Sequence, residues 1–504
     1  MNGKRGIYNI LVGFVSEAII IALGIIVPRL FLTSFGSEYN GLLNTVGQAF
    51  AYLVLLEAGV GGASIQALYA AIAKRDKNDI SSIVVATDCY YKKTGMFYAI
   101  GVLMLALAFP FLVESSIPAV TTIGLILLAG IPGVVRYIFQ GKYTVLLIAE
   151  GKNYIITSFN TLTHVIVVIS KIILLLAGCN IIVFQVCTML FSLLSVLLIY
   201  IYMRKNYRWI DYSAKPNFQA MEQKNAVLVG QVSDLVFRNS STLILAFFCD
   251  LKVASVYAIF NMLFSMVRTA LDTIGKGVAH ILGQTYNTDK ALYITYHDIY
   301  ETYRMSLIFC LYAVALVFII PFMRLYTAGV TDINYLDYNV AVLFVATSIL
   351  SAARACEADL INYAQHFRKT QWRCVAEAMI NIVAALILTP FWGIYGVMMA
   401  TVIALLYRAN DMIVYANRVI LKRSPWTTYK RWLVNTIVFL LVIIVADMLP
   451  WDLSSYISII GYACISTICA LIVFWGTASL TDFNSFLYVY QFFKQKSLPS
   501  HKNK

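Results

Sequence analysis

Long apolar runs follow one another along almost the whole chain, and they constrain the fold more than any other feature. A helix needs about 20 apolar residues to cross roughly 30 Å of hydrocarbon. By this measure the sequence predicts an all-α integral membrane protein with about fourteen transmembrane helices. The candidate spans are 8–32, 40–72, 94–113, 119–149, 154–177, 180–203, 224–249, 253–285, 302–326, 337–366, 370–390, 393–417, 431–449 and 453–477.

Composition supports this interpretation. Hydrophobic side chains make up 60% of the 504 residues and charged ones 12%, against about 25% charged residues in ordinary soluble domains. A net charge of +13 would suggest nucleic-acid binding in a soluble chain. Here most of the Lys and Arg fall in the connections between spans, so nucleic acid is excluded as a partner and the lipid bilayer is expected instead.

Enzyme and metal-site motifs are not found in the sequence. The nine Cys include no C-x-x-C pair and the five His are scattered, so neither a zinc site nor a disulfide framework is indicated. Phosphate-binding loops of the G-x-x-x-x-G-K-[ST] type, H-E-x-x-H and G-x-S-x-G are missing as well. We predict a protein that is not an enzyme and has no metal or cofactor, apart from a coupling cation, H⁺ or Na⁺, that the sequence does not identify.

The distribution of basic residues predicts the orientation. An even number of spans puts both termini on one side, and most of the 38 Lys and Arg lie in connections on that side. By the positive-inside rule this side is the cytoplasm. Segments 77–92 and 286–301, which mix charges with Tyr and Ile, predict short interfacial helices on the same side.

A short internal repeat predicts two lobes. Residues 12–17 (VGFVSE) reappear 217 residues later as 229–234 (VGQVSD), and nearly the same offset pairs Arg136 with Arg354. Two six-helix lobes of like orientation would then surround a central cavity. The predicted organisation is an N-lobe 1–203, a cytoplasmic linker 204–223, a C-lobe 224–419, two further helices 420–479 and a basic cytoplasmic tail 480–504.

Ionisable side chains inside the predicted spans are the candidate functional residues, because a charge at the bilayer centre costs about 2.5–3.5 kcal/mol on insertion scales. Some stand three or four residues from an opposite charge, where a pair along one helix can neutralise them. Glu17, Glu57, Arg136 and Lys171 have no such neighbour and are the stronger candidates. The four spaced pairs are Asp234 with Arg238, Arg268 with Asp272, Arg354 with Glu357, and Arg408 with Asp411.

Three short segments carry a resemblance to a known family. The first span opens with residues 8–10 (YNI) and closes with 28–30 (PRL). Residues 36–42 (GSEYNGL) and 147–153 (LIAEGKN) resemble the stretches after the first and fourth helices of Wzx-type proteins, with Asn40 where Gly is common. Over residues 1–420 the chain thus resembles the polysaccharide flippase branch of the multidrug, oligosaccharidyl-lipid and polysaccharide exporter (MOP) superfamily, which is MATE-like.

The resemblance implies a flippase of the bacterial plasma (inner) membrane. It would move an undecaprenyl-pyrophosphate-linked oligosaccharide from the inner to the outer leaflet by alternating access, for cell-surface polysaccharide biosynthesis. Such a head group cannot cross hydrocarbon unaided, since burying each unpaired polar group costs several kcal/mol. The expected partners are the lipid-linked glycan and the polysaccharide polymerase machinery.

Within this function the charged residues take two candidate roles. The acidic candidates for coupling or gating are Glu17, Glu57, Asp234 and Asp272. A purely structural role, in which the cations pair with acidic neighbours such as Glu57 or Glu357, is the alternative. The cationic candidates for contacts to the substrate head group are Arg136, Lys171, Arg354, Arg268 and Arg238.

Other functions stay open at this point. A flippase for a peptidoglycan lipid precursor has fourteen spans and nearly the same chemistry. A MATE-type cation-coupled small-molecule antiporter shares the fold but typically has twelve spans and an acidic cavity. A membrane polymerase or glycosyltransferase would place catalytic groups in a large outer loop, and the sequence has none.

Overall fold

The computed structural model describes residues 23–57, 60–218 and 228–497, with a few positions between 8 and 20. All regular elements in these ranges are helical. They are α1 (Ile26–Leu53), α2 (Val60–Lys74), α3 (Lys77–Leu112), α4 (Ala119–Val135), α5 (Gly141–Ala149), α6 (Asn153–Leu176), α7 (Ile181–Ser192), α8 (Leu194–Asn206), α9 (Leu228–Phe248), α10 (Leu251–Thr288), α11 (Lys290–Tyr326), α12 (Tyr338–Ala353), α13 (Ala355–Tyr363), α14 (Phe367–Trp392), α15 (Ile394–Tyr415), α16 (Trp426–Asp447), α17 (Tyr456–Thr481) and α18 (Phe483–Ser497).

The predicted all-α membrane fold is confirmed. Within the described ranges eleven helices, some of them continuous across two elements, are long and apolar enough to cross a membrane, and the bent pair Ile26–Glu57 and Val60–Lys74 would make a twelfth. Part of the first predicted span, at its N-terminal end, lies outside the described residues. The seventh is the helix α9, which does not reach the same apolarity because it carries Asp234, Arg238 and several amide and hydroxyl side chains. The count of fourteen therefore stays a prediction.

Two long helices correct the prediction of separate interfacial helices. Asp76 and Asp289 cap α3 and α11, each accepting hydrogen bonds from the backbone N–H groups two and three residues further on. Each helix then continues for 36 or 37 residues. Segments 77–92 and 286–301 are mostly the first turns of these helices, because no Pro or Gly stops a helix before Gly95 in α3 or before Pro321 in α11.

The order of elements repeats along the chain. After α3 comes a helix interrupted at Arg136, and after α11 comes a helix interrupted at Arg354. The next helix in each series ends in a reversal at a glycine with positive φ, Gly178 in the first and Gly393 in the second. Equivalent elements begin 213 to 219 residues apart, which agrees with the repeat found in the sequence.

The chain forms two compact units. Among the described residues, the first extends to Ala258 and includes Gly329–Ile333, and the second comprises Ile259–Ala328 and Asn334 onward. In the first unit α9 packs on α1, and in the second α11 packs on α16 and α17. The first unit contains a buried apolar cluster of helices α2, α3, α5 and α8. The lobe boundaries proposed from the sequence stay predictions.

Candidate functional site

A π-helical turn interrupts the helix between Ala119 and Ala149 and places an arginine beside a cavity. Pro132 removes one backbone donor just before the turn, and the turn itself runs from Arg136 to Gln140. A proline inside a helix breaks the hydrogen-bond ladder, and π turns occur frequently at functional sites. The side chain of Arg136 is exposed.

The cavity beside this turn has a volume of about 290 Å³. Glycines on α4 and α5 let tyrosine rings of α3 approach the helix backbone closely. A Cβ on Gly141 would lie 2.2 Å from Tyr91 Cδ1, and one on Gly133 would lie 2.7 Å from Tyr98 Cε1. The wall is thus built from one cation, one carboxylate, three tyrosines and small or polar groups, which are Arg136, Glu57, Tyr91, Tyr98, Tyr137, Val54, Gly133, Gln140, Gly141 and Thr144.

The hydrogen-bonding partners of the Glu57 carboxylate are tyrosines. It ends the short 3₁₀ turn between α1 and α2, and its carboxylate accepts hydrogen bonds from the hydroxyls of Tyr91 and Tyr137. Among the described residues Arg136 forms no ion pair within 4 Å, either with Glu57 or with another carboxylate. The cavity therefore presents a guanidinium that has no counter-ion in the described part of the chain, beside an acid that is already hydrogen-bonded.

Lys171 lies in different surroundings. Its Nζ is 5.8 Å from the ring centroid of Phe184, and this ring packs against Phe31 and Phe35. At 1.5 Å per residue, Lys171 is about 8 Å from the end of α6, whereas Arg136 is about 25 Å from the start of α4 on the same side. The structure does not bring these two predicted head-group contacts together.

The ion pair predicted between Arg354 and Glu357 is wrong. Arg354 lies at the break between α12 and α13, where the helical spacing that would align the two side chains is interrupted. Its Nη1 is 2.6 Å from Oε1 of Glu377 on α14. Glu357 is buried, and neither of its carboxyl oxygens has a hydrogen-bond partner among the described residues.

The pair Arg408 and Asp411 is confirmed, with 2.7 Å between Nη1 and Oδ2. It belongs to a larger network, since Arg408 Nε is 3.5 Å from Glu377 and Arg373 also binds Asp411. Together with Arg354, the network contains three guanidinium groups and two carboxylates. The predicted head-group role of Arg354 stays a prediction, but its charge is partly neutralised by Glu377.

Of the remaining candidates, some form the predicted ion pair and others do not. Arg238 Nε lies 2.9 Å from both carboxylate oxygens of Asp234, so this intrahelical pair is confirmed. Arg268 and Asp272 do not come within 4 Å of each other as an ion pair, and the Nε of Arg268 is buried without a hydrogen-bond partner in the described part. Glu17 lies outside the described residues.

Comparison with known proteins identifies the class of fold. No family model and no curated protein matches the chain, but solved structures do. A structure of the lipid II flippase MurJ in an inward closed conformation is 13% identical, with a TM-score of 0.65, and the match covers 95% of this chain and 99% of that one. The chain is therefore a multi-pass membrane protein with a transporter fold.

Two further solved structures have a similar fold. An inward-facing multidrug resistance MATE family transporter of the MOP superfamily is 13% identical, with a TM-score of 0.63, over 82% of this chain and 98% of that one. A MATE protein in a bent conformation is 14% identical, with a TM-score of 0.50, over 85% and 98%. The chain thus shares its fold with these transporters, one of which is described as a member of the MOP superfamily, the superfamily that the sequence resembles.

Proposed function

We propose that the protein is a flippase that moves an undecaprenyl-pyrophosphate-linked oligosaccharide across the bacterial plasma membrane, from the inner to the outer leaflet. The observation that carries this proposal is Arg136, a guanidinium at membrane depth that lines a polar cavity and has no carboxylate partner among the described residues. An uncompensated cation in a membrane span is costly. A transient anionic ligand would offset that cost.

The chemistry of the cavity fits a pyrophosphate followed by sugars. A guanidinium can bind a phosphate through two parallel N–H···O hydrogen bonds, and such charge-assisted bonds are roughly twice as strong as neutral ones. Tyrosines present an apolar ring and a polar hydroxyl, so they can pack against a sugar and bond to it. Because Tyr91 and Tyr137 hold Glu57, the carboxylate does not compete for Arg136.

An apolar cavity in the second unit supports a lipid-linked substrate. Its volume is about 550 Å³, and its wall consists of aliphatic and aromatic side chains of α10, α11, α17 and α18, with Arg304 as the charged residue. Burial of apolar surface contributes roughly 25 cal/mol per Å². A polyprenyl chain has the chemistry to fill this cavity.

The alternative functions differ in the head group of the substrate and in how much of this chain matches the solved structures. A peptidoglycan lipid precursor also carries a pyrophosphate, and the match to the MurJ structure extends over 95% of the chain. The matches to MATE structures extend over 82% and 85%. This coverage favours a flippase for a pyrophosphate-linked lipid over a MATE-type antiporter, and so does Arg136, which pairs with no carboxylate of the described residues. The peptidoglycan precursor is therefore the second candidate.

The first prediction tests Arg136. Replacing Arg136 with Gln should abolish flipping of an undecaprenyl-pyrophosphate-linked oligosaccharide, whereas Arg136→Lys should keep part of the activity because the charge survives without the planar fork. Flipping is measured in proteoliposomes as the loss of the glycan from the outer surface of the vesicles, normalised to protein content. Arg324→Gln, which removes an exposed arginine outside this cavity, is the matched control and should behave like wild type.

One result would contradict the role of Arg136, and another would contradict the proposed substrate. Unchanged normalised flipping in Arg136→Gln, with a lower protein yield, would make Arg136 a structural residue. Wild-type protein that flips a peptidoglycan precursor but not an oligosaccharide carrier would instead support the second candidate.

A further inference from the structure

A second cavity in the first unit is lined by cations and tyrosines. It has a volume of about 820 Å³ and lies at the end of α8, next to the start of α5 and the segment 207–212. Four of its eleven lining residues are basic, four are tyrosines and three are aliphatic, and there is no carboxylate among them. The basic residues are Lys142, Arg204, Lys205 and Arg208.

These four cations differ in their counter-ions. Lys142 is paired with Asp88 at 2.9 Å and lies over the rings of two tyrosines, 5.1 Å from each centroid. Arg204, Lys205 and Arg208 are exposed and form no ion pair within 4 Å among the described residues. The C-terminal dipole of α8 favours the two cations in its last turn, but Arg208 lies beyond the helix. Three positive charges thus line the cavity with no carboxylate within ion-pair distance in the described ranges.

The cavity wall is held in place by hydrogen bonds and core packing. Tyr207 is 5% exposed, its hydroxyl donates to Glu150, and Lys152 Nζ donates to the same hydroxyl at 2.7 Å. The backbone N–H of Asp211 donates to Ser81 Oγ at 3.2 Å. A wall that is ordered before the ligand arrives loses less conformational entropy on binding.

The position of the cavity favours a lipid phosphate. It lies where the apolar span Ile181–Asn206 ends, and this end faces the cytoplasm by the positive-inside rule. Tyrosines are enriched at the head-group level of a bilayer, and basic pockets between helices on the cytoplasmic side bind anionic head groups. We propose that this cavity binds the phosphate head group of an anionic glycerophospholipid of the cytoplasmic leaflet.

The test measures lipid binding to the purified full-length protein. Headgroup-labelled phosphatidylglycerol is titrated in detergent micelles against wild type and against the triple variant Arg204→Gln, Lys205→Gln, Arg208→Gln. Wild type should bind saturably at one tight site. The triple variant should bind about 100-fold more weakly, because each basic residue near a membrane surface contributes roughly a fivefold factor.

A matched control removes the same charge elsewhere. Arg368→Gln, Lys369→Gln and Arg418→Gln together also delete three exposed cations, none of which lines this cavity. This variant should bind phosphatidylglycerol as wild type does. If it weakens binding as much as the first triple variant, the attraction is diffuse and the site does not exist.

Two further measurements test the identity of the ligand and the case in which the triple variant does not fold. Inorganic phosphate that competes as tightly as phosphatidylglycerol would overturn the lipid assignment in favour of a soluble phosphate. If the triple variant does not fold, the single variant Arg208→Gln should still fold and bind about fivefold more weakly, and unchanged binding would contradict the proposal. No flipping substrate is present, so failure here leaves the test of Arg136 unaffected.

Discussion

Replacing Arg431 with Met should lower the free energy of unfolding by about 3–5 kcal/mol, the usual cost of removing one partner from a buried ion pair. Arg431 lies on α16 and is 8% exposed. Its guanidinium contacts three carboxylates, those of Asp298 and Glu301 on α11 and that of Asp482 after α17. It is therefore the centre of the charged contacts that join α16 and α17 to α11.

The large effect follows from what the substitution leaves behind. Glu301 is fully buried, and Arg423 would be its remaining arginine contact, at 3.3 Å. Burial acts to raise the pKa of Asp482, but Arg431 and a hydrogen bond from Thr302 outweigh it and hold the pKa below its ordinary value. Without Arg431, the three carboxylates would lose the guanidinium that contacts all of them.

Thermal unfolding of the purified protein in detergent measures this loss. Lys430→Met is the matched control, since Lys430 is the neighbouring cation on α16, is exposed and donates to the carbonyl of Thr481 at 3.2 Å. It should unfold close to the wild-type temperature. Adding Glu301→Gln to Arg431→Met should restore part of the stability, because the unpaired charge is then removed. Equal melting temperatures for Arg431→Met and Lys430→Met would show that this cluster does not hold the helices.

Features that depend only on residues close together along the chain could be predicted from the sequence. Hydropathy along the chain places a span at 119–149, and the structure has helices over the same residues, Ala119–Ala149. The intrahelical pair of Asp234 and Arg238 also follows from spacing alone. Apolar runs and helical periodicity are local properties, so they can be recognised without knowing the tertiary packing.

Pairs between helices could not be predicted in this way. Tyr91 is 34 residues from Glu57, and the sequence offers no signal that they meet, because many tyrosines of a membrane protein belong to its interfaces. Arg431 is the first residue of the predicted span 431–449, and nothing in the sequence indicates its contact with Asp298, 133 residues away. Such contacts are fixed by helix packing.

The segment 36–42, which carries part of the family resemblance, has a packing role in the structure. Gly36 has a φ of +84° and bends α1, a conformation that residues with a Cβ rarely adopt. The backbone N–H of Ser37 and its hydroxyl donate to Asp332 at 2.8 and 2.7 Å. Asn40, which replaces the common Gly, donates to Ser255 Oγ at 2.6 Å. The segment thus ties α1 to the start of α10 and to a loop of the same unit.

Within this segment, Gly41 is the position where a small substitution should lower the stability most. A Cβ there would lie 1.7 Å from the backbone carbonyl oxygen of Leu251 and 2.6 Å from its carbon. Because the obstacle is backbone and not the flexible end of a side chain, α1 and α10 would have to move apart. We expect Gly41→Ala to lower the free energy of unfolding by about 3 kcal/mol, at the upper end of the usual cost of overpacking.

Gly47→Ala is the matched control, since it makes the same substitution two turns further along α1 where no atom lies within 4 Å of the added Cβ. Alanine is favoured over glycine in a helix by about 1 kcal/mol, so this variant should be as stable as wild type or slightly more stable. The two variants should therefore shift the unfolding temperature in detergent in opposite directions or, at least, by clearly different amounts. If Gly41→Ala unfolds at the same temperature as Gly47→Ala, the close approach of α1 to Leu251 does not exist in the folded protein.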